Sequence, residues 1–224
     1  MNETDFLFPQ KWKVGIALVL VFSLFFLDSI IPPLGIPIAV ISIFILFKWR
    51  NISIKGLGLF KPKSWRQTFL IIIVAVLAIQ FFGLFLKPYL LELLGVPNEA
   101  PAVYEKIEGN NTQLIIYLLV SWTTAGFGEE LIFRAFFMWQ FITFIHKFKY
   151  KWVASLVVSS VIFGLAHYNK GIDAMIITGV VGFILGMTYL MTNRNIWAAY
   201  FTHSITNTIS FLIIYSGFYK ELYV

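Results

Sequence analysis

The chain has 224 residues, of which 59% are hydrophobic and 12% charged, with 24 phenylalanines and no cysteine. Soluble domains carry roughly 45–50% apolar residues, so this balance excludes an ordinary soluble enzyme, and the missing thiols exclude disulfides, thiolate metal sites and cysteine nucleophiles. The net charge of +6 would suit nucleic acid, but in a membrane chain such charge more often marks one face of the bilayer.

The opening "MNETDFLFPQKWK" places Glu3 and Asp5 before its lysines and has no small-residue cleavage site after the first apolar run, so no removable leader is read. Crossing ~30 Å of hydrocarbon takes about 20 helical residues. Runs that meet or approach this length are predicted at 13–31, 34–48, 68–87, 113–141, 152–168, 173–191 and 196–215. The second is short and the fourth too long for one span. The first two are joined by the Pro/Gly-rich turn "DSIIPPLGIP", and "KWRNISIKGLGLFKPKSWR" is a basic segment with interleaved apolar residues suited to an anionic membrane surface. No repeat or linker divides the chain. The expected architecture is all-α, a polytopic transmembrane helical bundle of about seven spans in one integral-membrane domain.

Charge orients this map. With a cytoplasmic N-terminus, the cytoplasmic side holds twelve basic residues: Lys11, Lys13, Lys48, Arg50, Lys55, Lys61, Lys63, Arg66, Lys147, Lys149, Lys151 and Arg194. The other side holds four: Lys87, Lys106, Lys170 and Lys220. Acidic residues divide the opposite way, with Asp28, Glu92, Glu99, Glu105, Glu108, Asp173 and Glu221 outside. The basic residues thus follow a membrane face and form no groove-reading motif, which excludes nucleic acid as partner. Trp12, Trp65, Trp152 and Trp197 are expected to form an interfacial belt.

Six polar residues then remain inside the spans: Glu129, Glu130, Arg134, His167, His203 and Asn207. A charge near the bilayer centre costs ~2.5–3.5 kcal/mol on insertion scales and tends to mark function. Glu130 and Arg134 are four apart and can neutralise each other on one helical face. Glu129 is turned ~100° away and keeps its carboxylate free. His203 and Asn207 share a face, and His167 closes "FGLAH" with Phe163 one turn earlier. Gly126 and Gly128 would let another helix or a substrate backbone approach.

One free carboxylate, two imidazoles and a carboxamide in a water-poor pocket suit amide hydrolysis, with glutamate as general base and the other groups as oxyanion donors. The set Glu129, His167 and His203 equally matches a catalytic zinc with an open position, although the His-Glu-x-x-His motif is absent.

"EELIFR" (129–134), "FGLAH" (163–167) and "HSITN" (203–207), in this order on separate spans, resemble the three motifs of the CAAX-protease and bacteriocin-processing family of intramembrane endopeptidases. The resemblance covers residues 113 to about 215. It implies that Glu129 activates water with His167 as partner, that His203 and Asn207 stabilise the oxyanion, and that Glu130 and Arg134 form a supporting ion pair. The family has been described both as metal-dependent and as glutamate-dependent, so a divalent metal such as zinc stays open. The implied partners are the lipid bilayer and a membrane-embedded peptide or lipidated protein substrate, in a bacterial cytoplasmic membrane. Two other classes remain open: a proton-coupled transporter, against which no inverted repeat is visible, and a non-catalytic immunity or scaffold protein that binds a peptide in the same cavity.

One tension stands in this map. At ~1.5 Å per residue, His203 lies about 10 Å above the cytoplasmic end of its span and His167 near the outer end of its own. The expected resolution is that "HYNKGID" dips inward to line a water-filled cavity.

Overall fold

A computed structural model describes residues 11–26, 34–49 and 53–223, with the side chains of Lys11 and Trp12 excluded. The leader reading at residues 1–10, the side chain of Trp12 and most of the "DSIIPPLGIP" turn lie outside the described residues. Among the described residues every regular element is helical. The helices are α1 (Lys11–Phe26), α2 (Gly35–Trp49), α3 (Trp65–Phe81), α4 (Lys87–Leu93), α5 (Val103–Ile107), α6 (Asn111–Val120), α7 (Met138–Phe144), α8 (Lys151–Leu165), α9 (Ile172–Met191) and α10 (Ile196–Tyr215).

Composition cannot say which side of an all-apolar helix faces inward, but spacing can. In α1 the buried positions are Val14, Ala17, Val21 and Phe25, and in α2 they are Ile36, Ala39, Ile43 and Phe47. Both sets step by three, four and four, the stripe that 3.6 residues per turn places on one face. The opposite faces, with Ile16, Val19 and Leu20 on α1 and Ile38, Ile41 and Ile45 on α2, are exposed. On α3, Phe69, Leu70, Ile73, Val74, Leu77 and Phe81 are exposed as well. Apolar surface of this extent would aggregate in water and is natural in hydrocarbon. Two helices are long and apolar enough to cross a membrane, Trp65–Leu93 and Ile172–Met191, and Lys13–Phe26, Gly35–Trp49 and Lys151–Leu165 are shorter apolar helices.

The first long helix continues past the predicted end at 87. Pro88 has no N–H for the Leu84 carbonyl and its ring crowds that carbonyl. The chain accommodates it with a wider π-helical turn over Phe82–Leu86 immediately before.

The over-long fourth span has the same remedy on a larger scale. After α6 the helix is π-wound over Ser121–Glu129 and again over Leu131–Phe137 before α7 resumes the α pattern. An i→i+5 turn holds more residues for the same rise, so surplus residues are absorbed without leaving the helix. The widening begins where Thr123 and Thr124 donate their hydroxyls to the carbonyls of Leu119 (2.7 Å) and Val120 (2.8 Å). Side-chain hydroxyls on those i−4 carbonyls compete with the backbone ladder.

Among the expected belt residues, Trp65 is exposed and Trp152 and Trp197 are half-buried; the Trp152 ring packs edge-on against Trp139 at 4.8 Å, and Trp197 lies against Phe127, Tyr200 and Phe201.

Candidate active site

Three elements bring the polar residues together: the π-wound segment 121–137, the C-terminal end of α8, and α10. Close approach comes from missing side chains. A Cβ on Gly126 would collide with the Ser204 hydroxyl on α10, and one on Gly128 with Ile36 on α2. The two glycines before the glutamates therefore seat the segment against α10 on one side and α2 on the other. On the α8 side, Ser155 and Ser159 donate to the carbonyls of Met138 (2.9 Å) and Phe133 (3.2 Å). These bonds fix α8 to the helix that carries the charges.

Glu130 and Arg134 pair as the spacing predicts, with Arg134 Nη1 donating to Glu130 Oε1 at 3.0 Å, and both are buried. Arg134 also donates through Nη2 to the Gly182 carbonyl on α9 at 2.9 Å. Its guanidinium lies 4.5 Å from the centre of the Phe163 ring, a cation–π contact in a desolvated place. The same Glu130 oxygen takes a second donor: His203 Nδ1 is 2.9 Å away. A carboxylate only accepts, so Nδ1 carries the hydrogen there. Glu130 thus links Arg134 to α10, and Gly182 closes the arrangement on α9.

Phe163 is the other organising side chain. Its ring meets Phe133 (5.0 Å), His167 (5.0 Å) and His203 (6.2 Å), so the two imidazoles flank one phenyl group. His167 Nδ1 lies 2.8 Å from the Phe163 carbonyl. A carbonyl cannot donate, which fixes the hydrogen on Nδ1 and leaves the Nε2 lone pair available.

Glu129 differs from its neighbour. It is only 8% exposed, yet among the described residues no donor hydrogen-bonds its carboxylate. Asn207, one turn beyond His203 on α10, is half-buried and its carboxamide has no protein partner among the described residues. Carboxylate, imidazole Nε2 and carboxamide are thus left unspent, whereas Glu130 commits Oε1 to both Arg134 and His203 and leaves only its buried Oε2 without a partner among the described residues.

After His167, Tyr168, Asn169 and Lys170 form one 3-10 turn and are exposed. His167 is buried because α8 ends at Leu165 and the ring folds back on Phe163, its own residue i−4. Two apolar grooves are present, one along α1 and one of about 410 Å3 between α8 and α9, and neither is lined by Glu129, His167, His203 or Asn207.

Nor do Glu129, His167 and His203 fit as a ligand set. Among the described residues no three His, Cys, Asp or Glu side chains are grouped to hold a metal ion. No chemical step is therefore derived through zinc.

Two participants were not legible beforehand. Gly182 sits in the apolar run "GVVGFILG" with nothing in the sequence to single it out, although a Cβ there would lie 2.8 Å from the Phe163 ring and 3.3 Å from Arg134. The His203 bond to Glu130 joins residues 73 apart, and sequence spacing carries no signal for it.

Residues 111–209 match the family model of type II CAAX prenyl endopeptidase Rce1-like proteins. Over these residues the chain is similar to the Rce1-like family. The matched segment runs from α6 to within α10 and so contains all six polar residues and the two π-wound stretches of 121–137, while α1 to α5 fall outside it. No curated protein and no solved structure gives a significant match.

Proposed function

We propose that this Rce1-like chain is an intramembrane endopeptidase that hydrolyses a peptide bond in a membrane-associated or lipidated peptide, using water activated by Glu129. One observation carries the reading: Glu129 is buried and unpartnered next to Glu130, whose carboxylate is taken up by Arg134 and His203. A bundle that needed only neutralisation would have paired both. The family to which residues 111–209 are similar is named for CAAX prenyl endopeptidases, which supports the same class of substrate here.

The proposed steps follow from the free groups. Water donates one hydrogen to Glu129 and the other to the lone pair of His167 Nε2, which aims its own lone pair at the substrate carbonyl. As oxygen attacks the carbonyl carbon, the proton passes to Glu129 and the carbonyl becomes an oxyanion. The Asn207 carboxamide donates to that oxyanion. His203 joins it through Nε2 only as the imidazolium, because Nδ1–H is committed to Glu130. Collapse of the intermediate breaks the C–N bond, and Glu129 returns its proton to the departing amine.

In this reading the chain crosses the membrane about seven times, and the end of the bundle bearing residues 48–66, 145–151 and 192–195 is cytoplasmic, in a bacterial cytoplasmic membrane. The test is purified full chain in detergent against a library of membrane peptides, with Glu129→Gln and His167→Ala beside the wild type. Cleavage by wild type alone is expected, and equal cleavage by all three rejects the assignment. A chelator added to the wild type, with zinc restored afterwards, tests the glutamate route: lost activity regained with zinc would replace it with a metal-dependent one.

A further inference from the structure

The sequence between α2 and α3 contains Lys55, Lys61 and Lys63, the first turn of α3 adds Arg66, and there is no acidic residue from 48 to 66. All four cations are exposed, together with Ile54, Trp65 and Phe69. Apolar side chains of this kind reach the acyl boundary while the cations remain at headgroup depth.

This surface is not a loose connection. Ser53 caps a short 3-10 helix, Ile54–Leu57, which packs on Leu131–Phe137 and buries Leu57 completely. Gly58, at φ +76°, accepts a hydrogen bond through its carbonyl from the Ile196 amide (3.2 Å), and the Phe60 carbonyl accepts one from Asn195 Nδ2 (2.6 Å). Asn195 in turn caps α10 by accepting from the Trp197 amide at 3.1 Å. A Cβ on Gly58 would lie 2.5 Å from the Arg194 carbonyl, so only glycine allows this docking. The basic segment therefore rests on the π-wound helix that follows Glu129 and on the start of the helix that carries His203 and Asn207.

We infer that residues 53–66 form a binding surface for anionic phospholipid headgroups, and that headgroups bound there hold the π-wound helix and α10 in their joined arrangement. Four cations close in sequence, with no ion-pair partner among the described residues, fit a lipid phosphate layer, to which each contributes. If the cations served only to orient the chain during insertion, lipid charge would have no effect on the folded protein. The binding stands independently of the peptidase reading; only its effect on cleavage rests on that reading.

The experiment uses the full chain in nanodiscs of phosphatidylcholine alone or mixed with phosphatidylglycerol, and measures the thermal midpoint and the ratio of the two lipids that co-purify. Phosphatidylglycerol is expected to raise the midpoint and to be enriched. The variant K55Q/K61Q/K63Q/R66Q should lose at least about tenfold of the enrichment and the rise in midpoint, while K55R/K61R/K63R keeps both. A flat wild-type midpoint, a fourfold glutamine variant that responds like wild type, or an equal rise with inorganic phosphate in phosphatidylcholine discs would overturn the proposal. No cleavage in either lipid with an intact midpoint response would remove the peptidase reading and leave this one standing.

Discussion

His203 Nδ1 stands 2.9 Å from Glu130 Oε1, the same oxygen that Arg134 Nη1 meets at 3.0 Å. One carboxylate oxygen thus joins a cation on its own helix to an imidazole on α10, and the adjacent glutamate has no such duty. Breaking a buried pair by removing one partner costs far more than the pair itself contributes.

The two glutamates should therefore respond oppositely to the same change. Glu130→Gln leaves Arg134 buried without its counter-charge and should destabilise the fold by about 3–5 kcal/mol. Glu129→Gln removes no protein hydrogen bond, so its unfolding transition should overlay that of wild type while cleavage drops at least about 100-fold. Thermal or denaturant unfolding in detergent, read beside peptide cleavage, checks both. An equal loss of stability in the two variants would contradict the division of labour.

Asn207→Ala should act on turnover and spare binding. A carboxamide that meets the oxyanion alone is worth about 100- to 1000-fold in rate. Steady-state kinetics should show that loss in kcat with KM little changed and the thermal midpoint held. A change confined to KM would make Asn207 a substrate-binding group.

Gly182→Ala tests the back of the site. Its Cβ would lie 2.8 Å from the Phe163 ring and 3.3 Å from Arg134 Nη2, with no flexible chain end to yield. Overpacking of this kind costs about 1–3 kcal/mol. Because Phe163 also supports both imidazoles, cleavage should fall with stability. An unchanged midpoint would mean that α9 moves away freely.

Outside the spans, the C-terminal turn is held by charge. Lys220 Nζ donates to Glu108 Oε1 at 2.6 Å and the Tyr219 hydroxyl to Oε2 at 3.0 Å. These hydrogen bonds, that of Lys220 foremost, hold the Glu108 carboxyl below its ordinary value, and the Glu108 bond raises Lys220. A depressed carboxylate stabilises the docked turn above its unfolded pKa and loses that effect as pH falls through the folded one. A raised lysine acts below its unfolded pKa and ceases as pH climbs through its folded value. The turn at Phe218–Glu221 should therefore be most protected between the acidic carboxylate range and the alkaline lysine range. Amide hydrogen exchange across 217–222 should loosen at both ends of this window. In Glu108→Gln the acidic limb should vanish.

What could be read from sequence was whatever depends on near neighbours and on composition. Helical character follows from long apolar runs that must satisfy their own backbone, and Glu130 meets Arg134 because four residues make one helical turn. The family follows from three short motifs in order. What needed the tertiary structure was whatever depends on distance through space. The partner of His203 lies 73 positions away, and Gly182 matters only because Phe163 and Arg134 arrive from other helices. The over-long fourth span likewise gave no sign of π winding, since hydroxyl competition and close packing against α2 and α10 decide it. Sequence thus supplied the reactive groups and the Glu130–Arg134 pair; the helices that packed around them added His203 as a second partner of Glu130 and the Gly182 carbonyl as a second acceptor for Arg134.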